Sequence, residues 1–321
     1  MRFTLIYLLL VTSICFASCN RKENTLQTIV EKNGKLSVQG TSLVNEKGEP
    51  VLFKGVSYGW HNTHPRFYNA GSVATFTHEW KCDMVRASVG IELKKSYIDN
   101  PEAGIKCATA VIDAAIANGI YVILDWHSHT IRLSEAKEFF HFMVTKYKGV
   151  PNIIYEIFNE PVDDSWEAVK EYSIEVIRTI RAIEPDNIIL VGTPHWDQDI
   201  HLAADDPITG FKNLMYTLHF YAATHKTELI ERGNYALSKG LPLLVSECAA
   251  MEASGDGPID YDSWNTWTNW MTQNSISWAM WSVSDKDETC SMIEATASSE
   301  GPWKENELRE WGNLARTTLT K

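Results

Sequence analysis

The chain has 321 residues, an apolar fraction of 44% and a formal net charge of −12, with no basic run or stripe. That length admits one large α/β domain or two ordinary ones, and that charge argues against nucleic acid and anionic membrane surfaces as partners. Twelve tryptophans is a high number for the length, so where they fall along the chain matters.

The chain opens with Met1-Arg2 and an apolar stretch, Leu5 to Val11, too short to span a bilayer. This is the pattern of a secretory signal over residues 1–18. It ends in Phe16-Ala17-Ser18-Cys19, which resembles a bacterial lipobox, in which the cysteine becomes the lipidated N-terminus; plain secretion is the alternative. Residues 19–31 read as a polar tether and 32–321 as one domain. Export to an oxidising compartment permits disulfides among Cys82, Cys107, Cys248 and Cys290. Their spacing fits no zinc or iron–sulfur pattern. A Cys248–Cys290 pair stays open, and Cys82 and Cys107 read equally as buried thiols.

Past the tether, Lys35 to Gly40 and Leu43 to Gly48 read as a short hairpin region with Lys47-Gly48 at a turn. Apolar strand-like runs then recur at 51–57, 84–90, 121–127, 153–159, 188–194, 214–221, 242–248 and 277–283. Helical patterns lie between them. Asn100-Pro101-Glu102 opens one that ends at Asn118-Gly119. Ser134 opens the next, with Phe139, Phe140 and Met143 on one face, and Ser165 opens a long one stopped by Pro185. Segments 227–239, 263–273 and 304–318 follow, and the helical signal before the sixth strand is weak. Trp264, Trp267 and Trp270 fall at helical spacing and read as core.

Eight near-continuous apolar strands alternating with helices predict an α/β fold, a (β/α)8 TIM barrel. An open doubly wound sheet would usually place a Gly-rich turn after its first strand. Here that turn is Ser57-Tyr58-Gly59-Trp60-His61. In a barrel, chemistry sits at the C-terminal strand ends. Those ends carry Arg86, Asp125-Trp126-His127, Asn159-Glu160, His195-Trp196, His219-Phe220-Tyr221, Glu247 and Trp281. Three rival chemistries lack their motifs. The histidines 127, 129, 195 and 219 show no His-Glu-x-x-His or paired helical spacing, and neither a Gly-x-Ser-x-Gly elbow nor a phosphate-binding Gly-Lys loop occurs. What remains is two carboxylates among aromatic and hydrogen-bonding residues, which is what glycoside hydrolysis needs.

Several stretches resemble one family closely. They are Leu52-Phe53-Lys54-Gly55-Val56-Ser57, Val85-Arg86-Ala87, Gly119 to His127, Ile154 to Pro161, Leu218 to Ala222, Val245-Ser246-Glu247, and Trp281-Ser282 with Lys286-Asp287-Glu288. The chain resembles glycoside hydrolase family 5, and within it the bacterial endo-β-1,4-glucanases (cellulases) of the Bacillus-type subfamily. The resemblance implies a retaining enzyme with no cofactor and no metal, acting on a β-glucan polysaccharide or oligosaccharide. It implies Glu160 as acid/base, Glu247 as nucleophile and Asn159 on the sugar 2-hydroxyl. Arg86 and Tyr221 are expected to hold Glu247, with His219 in the same network and His127 lining the cleft. Trp196 and Trp281 are expected as platforms on either side of the cleavage point, and Lys286 and Glu288 at a more distant sugar.

Glu160 has to carry a proton at neutral pH, for which an apolar or anionic setting is expected. The chain departs from the family near Tyr58 and Trp60, at Gly90, in the short loop Ser128 to Leu133 and at Cys248-Ala249. Those departures leave the preferred glycan open, with an endo-mannanase as the alternative within the class. A non-catalytic glycan-binding surface lipoprotein is the alternative outside it. The protein is expected to be a monomer that touches membrane only through Cys19, held at the outer membrane or otherwise released to the periplasm or the medium.

Overall fold

The computed structural model describes residues 27–321; the signal segment and Cys19 lie outside the described residues. Thr28 caps a short helix, Ile29–Asn33, through a reciprocal pair with Glu31. Residues placed in the tether by sequence therefore belong to the fold, tied down by the bond from Val30 N to Gly119 O. Next comes an antiparallel hairpin, β1 (Ser37–Gln39) and β2 (Ser42–Val44), which turns at Gly40. The Lys47-Gly48 turn follows, and Val44 bridges to Pro50 across it.

Eight parallel strands then close into a barrel in chain order. They are β3 (Lys54–Tyr58), β4 (Met84–Gly90), β5 (Tyr121–His127), β6 (Ile153–Glu156), β7 (Ile189–Val191), β8 (Leu214–Tyr221), β9 (Leu243–Ala249) and β10 (Trp278–Val283). The helices lie outside. Pro101–Asn118 starts from an Asn100 cap and stops at left-handed Gly119, and Trp166–Arg181 starts from a Ser165 cap. Trp264, Trp267 and Trp270 are buried, as their spacing predicts.

Two barrel strands are shorter than the apolar runs suggest. β6 stops pairing at Glu156, because the next residues switch neighbours. Ile157 N bonds Leu190 O, while Asn159 N and Glu160 N bond Trp126 O and Ser128 O, each at 3.1 Å. The tip that carries Asn159 and Glu160 is thus off the ladder but anchored to it. β7 stops at Val191 because His195, Trp196 and Asp197 take three successive left-handed conformations (φ 58°, 55° and 60°). A short helix, Ile200–Asp205, follows in the region where the helical signal is weak.

The floor of the barrel is apolar. Inward positions Met84, Ile123, Ile154, Leu190, Met215 and Leu244 pack with Leu36 and Leu43 of the hairpin, which plugs the end opposite the mouth. Two residues further along the same strands, and so on the same face, stand Arg86, Asp125, Glu156, Thr217 and Ser246. The strand period of two therefore stacks a charged layer directly on the apolar one.

Candidate active site

Arg86 is the hub of the charged layer and is fully buried. Its Nε donates to Glu156 Oε2 at 2.7 Å, Nη1 to Glu247 Oε2 at 3.0 Å, and Nη2 to Asn159 Oδ1 at 2.6 Å. Asp125 Oδ2 lies 3.0 Å from Nη2. A planar fork with five donors suits this spread of acceptors, and lysine could not reproduce it. Burial works against the guanidinium charge, but Asp125, Glu156 and Glu247 more than offset that and hold its pKa well above the usual value. Burial also raises Glu156, yet Arg86 and His219 pull its carboxyl down to about 2.

Glu247, at the end of β9, receives a second donor from Tyr221 OH to Oε1 at 2.8 Å. The two residues expected to hold it therefore do so. His219 does not touch it; its Nδ1 meets Glu160 Oε1 at 2.9 Å. On the other ring nitrogen, Nε2 lies 2.8 Å from Ser246 Oγ and 3.4 Å from Asp197 Oδ2. Glu160 Oε2 also faces His129 Nε2 at 3.3 Å, and His129 Nδ1 is 3.6 Å from Glu92.

The expected apolar or anionic setting for Glu160 is not what surrounds it. Burial pushes its carboxyl up, but hydrogen bonds and charge from His129 and His219 hold it well below the usual carboxylate range. The imidazoles beside it are shifted the opposite way. Burial would lower His219, yet Asp197, Glu156 and Glu160 raise it well above its ordinary value. His129 is likewise opposed by burial and raised, by Glu160 and Glu92, to about 10.

The cleft walls are aromatic. His127 is buried, bonds Asp125 through Nδ1 at 2.7 Å and is kept neutral by burial, at about 3. Trp281 lies parallel to its ring at 5.3 Å, and Trp60 packs edge-on to it and stacks on His129. On the other side of Glu160 a cavity of about 520 Å³ is lined by His195, Trp196, Gln198, Tyr221 and His225 among others. Trp196 is 40% exposed there, held outward by the left-handed turn. Lys286 and Glu288 form an ion pair with each other on the loop after β10, and Lys286 is largely exposed. Glu288 Oε1 also accepts from the Cys290 thiol at 3.2 Å. Cys248 and Cys290 are free thiols, so the disulfide left open by sequence does not form; the Cys248 Sγ contacts Ala279 O instead.

One oxygen each of Glu160 and Glu247 and a ring nitrogen of His219 lie within 4.8 Å of one another. Among the described residues these are the three donors near metal-site spacing. Both nitrogens of His219 are already engaged, and Glu247 is held by Arg86 and Tyr221. The arrangement is that of two facing carboxyls with separate hydrogen-bond partners.

The family model for cellulase (glycosyl hydrolase family 5) matches residues 44–287. The chain belongs to glycosyl hydrolase family 5. Among its relatives, Endoglucanase Z of Dickeya dadantii is 42% identical over 263 residues, covering 80% of this chain and 61% of the relative. Endoglucanase A of Evansella cellulosilytica is 38% identical and covers 99% of this chain and 66% of the relative. The chain thus spans about two thirds or less of the length of these curated relatives. Of the solved structures, a chain from Cytophaga hutchinsonii superposes with a TM-score of 0.90 at 42% identity, covering 91% of this chain and 96% of the other. The catalytic domain of Thermobifida fusca endoglucanase Cel5A does so at 0.87 and 32%, covering 92% and 100%; a variant of that protein is solved with cellotetraose.

Around this family 5 site stand five residues to which the sequence reading gave no role. Asp125 and Ser246 could have been found by strand parity, since they share an inward face with His127 and Leu244. Glu92 and His129 could not, because loops bring them to Glu160. Asp197 carried no signal at all: a left-handed turn, not a strand, delivers it.

Proposed function

We propose that the chain is a retaining endo-β-1,4-glucanase that hydrolyses internal bonds of cellulose-type or mixed-linkage β-glucans. The observation that carries this reading is the separation of Glu160 and Glu247, whose nearest ligand oxygens lie within 4.8 Å. Retaining glycosidases place their carboxyls roughly 5–5.5 Å apart, whereas inverting ones leave more room for a water. Glu247 attacks the anomeric carbon from one face, with Arg86 and Tyr221 fixing its two oxygens. Glu160 protonates the departing glycosidic oxygen, its proton arriving from His219 Nδ1 across 2.9 Å. In the second half Glu160 takes a proton from water as the hydroxyl displaces Glu247, and return of that proton to the contact with His219 Nδ1 restores all three groups.

Asn159 supports the reading independently. Its Oδ1 is committed to Arg86, and its buried Nδ2 has no partner among the described residues. A buried amide donor left open at the cleft is a costly feature that a sugar hydroxyl would satisfy. His127, Trp281 and Trp196 offer flat faces for pyranose rings on either side of the cut. Lys286 and Glu288 belong to a more distant sugar in this reading, and the leader with Cys19 supports export and anchoring by lipid.

The test is Glu160→Gln and Glu247→Gln on soluble cellulose. Each variant loses hydrolysis while keeping its melting temperature; turnover retained in either one refutes the assignment. A panel of carboxymethylcellulose, mixed-linkage glucan and mannan decides the preferred glycan, and preference for mannan replaces the glucanase reading with the mannanase one.

A further inference from the structure

Asp197 is fully buried directly after the dipeptide His195-Trp196, and no step above uses it. Its Oδ1 accepts from Thr193 N at 2.6 Å and its Oδ2 from Thr217 Oγ1 at 2.5 Å. The same Oδ2 lies 3.4 Å from His219 Nε2. Three consecutive left-handed residues are an expensive way to shape a loop, since each non-glycine residue costs roughly 1 kcal/mol or more in that region. What that geometry achieves is to send the Trp196 side chain out into the cleft and the next carboxyl in toward His219.

The hydrogen-bond chain fixes where protons sit. Ser246 Oγ is 2.6 Å from Glu156 Oε1 and donates its only hydrogen there. Ser246 must then accept from His219, so Nε2 carries a hydrogen. The contact between His219 Nδ1 and Glu160 Oε1 therefore holds one proton, on nitrogen or on oxygen. That is the proton the leaving group needs. If it is lost, a carboxylate faces an imidazole lone pair.

We propose that Asp197 is a positioning residue for the acid: its carboxylate, set against the far side of the His219 ring, retains the proton shared by His219 and Glu160 and so sets the alkaline limit of hydrolysis. The sign follows from charge. Removing the shared proton leaves Glu160 negative and His219 neutral. With Asp197 beside them, that deprotonated state places one more negative charge in a buried cluster and is disfavoured. Burial pushes the Asp197 carboxyl up and so works against that charge, while the charge of His219 and the hydrogen bonds from Thr217 Oγ1 and Thr193 N favour the ionised form.

The other charged groups do not supply this. Glu156 faces His219 at 3.7 Å but is already neutralised by Arg86. Glu247 and Asp125 share the same guanidinium. His129, with Glu92 behind it, faces Glu160 from the loop after β5 and repels a proton there. His225 and His127, both kept neutral by burial, and the Tyr221 phenol also lie near Glu160. Among the described residues, Asp197 is thus the acid on the His219 side that pairs with no lysine or arginine.

The inference rests on Glu160 being the acid, and the test separates the two. Asp197→Asn keeps the shape and an acceptor for Thr193 N–H. The alkaline limb of kcat/KM on a soluble cello-oligosaccharide should fall by about one pH unit or more, with the acid limb little changed. The 15N titration of the His219 ring, assigned by its loss in His219→Asn, should fall with it in the absence of substrate. Thr217→Val removes a hydrogen bond from the same carboxylate without removing its charge, so its limb should move the other way. This second variant decides the matter if Asp197→Asn does not fold. An alkaline limb that stays put in Asp197→Asn while KM rises as in Trp196→Ala would show that Asp197 only holds the turn. Should Glu160→Gln remain active, the acid assignment falls instead.

Discussion

Arg86 Nη1 lies 3.0 Å from Glu247 Oε2, and the arginine making that contact has no exposed surface. The same guanidinium also serves Glu156, Asp125 and Asn159. One cation at the centre of three acids makes this layer a structural as well as a functional unit.

Arg86→Met should therefore cost stability as well as activity. It leaves buried carboxylates without their cation, which is worth about 3–5 kcal/mol in comparable sites. Urea unfolding followed by tryptophan fluorescence would measure it, and a loss below about 1 kcal/mol would contradict the account.

Trp196→Ala should do the opposite. The ring is 40% exposed and carries no core packing load, so the melting temperature should hold. Losing an apolar face to a sugar should raise KM several-fold, roughly 1 kcal/mol of binding, with kcat largely retained. Steady-state kinetics on cello-oligosaccharides of increasing length would locate the lost contact, and an unchanged KM would exclude Trp196 as a platform.

His129 predicts a pH dependence of folding. Its folded value is raised from 6.5 to about 10, against burial, by Glu160 and Glu92. A raised value means that its stabilising contribution is complete below pH 6.5 and is lost as the pH climbs toward 10. Glu160 is shifted the other way, so its contribution holds above its ordinary 4.5 and is lost on acidification. His129→Gln should thus flatten the decline of stability between pH 6.5 and 10 relative to the unaltered protein. Equal slopes in denaturant titrations across that window would count against the His129–Glu160 contact.

The thiols give a simple chemical check. Cys82, Cys248 and Cys290 are buried and Cys107 is half-buried, and all four are free. Reductant should leave the melting temperature of residues 27–321 unchanged, and thiol reagent should titrate all four only after unfolding. A Cys248–Cys290 bond would be worth about 3–4 kcal/mol, so its reduction would lower the melting temperature by several degrees.

The barrel was readable in the sequence because strands buried on both faces leave long apolar runs, and helix caps such as Ser165 and Asn100 punctuate them. Arg86, Asn159, Glu160, Tyr221 and Glu247 were readable because strand ends have a fixed place in such a barrel. The surroundings of Glu160 were not. Two imidazoles reach it, His219 from the face of its strand and His129 from the loop just beyond the end of the apolar run 121–127, which gives no hint of direction. Asp197 depends on backbone angles that non-glycine residues seldom adopt, and no pattern of hydrophobicity encodes those. Periodicity reports which face a residue occupies; it is silent about which partner waits there.

The hairpin plug at the floor of the barrel has an orientational consequence. Helix Ile29–Asn33 and strands β1 and β2 lie against the strand starts, with Tyr121 OH bonded to Gly34 O and Val38 N to Asn213. The chain therefore enters the domain from the pole opposite the catalytic rim. A bead or fusion partner coupled at residue 27 would therefore attach at the pole away from Glu160 and Glu247, and the cleft would stay uncovered.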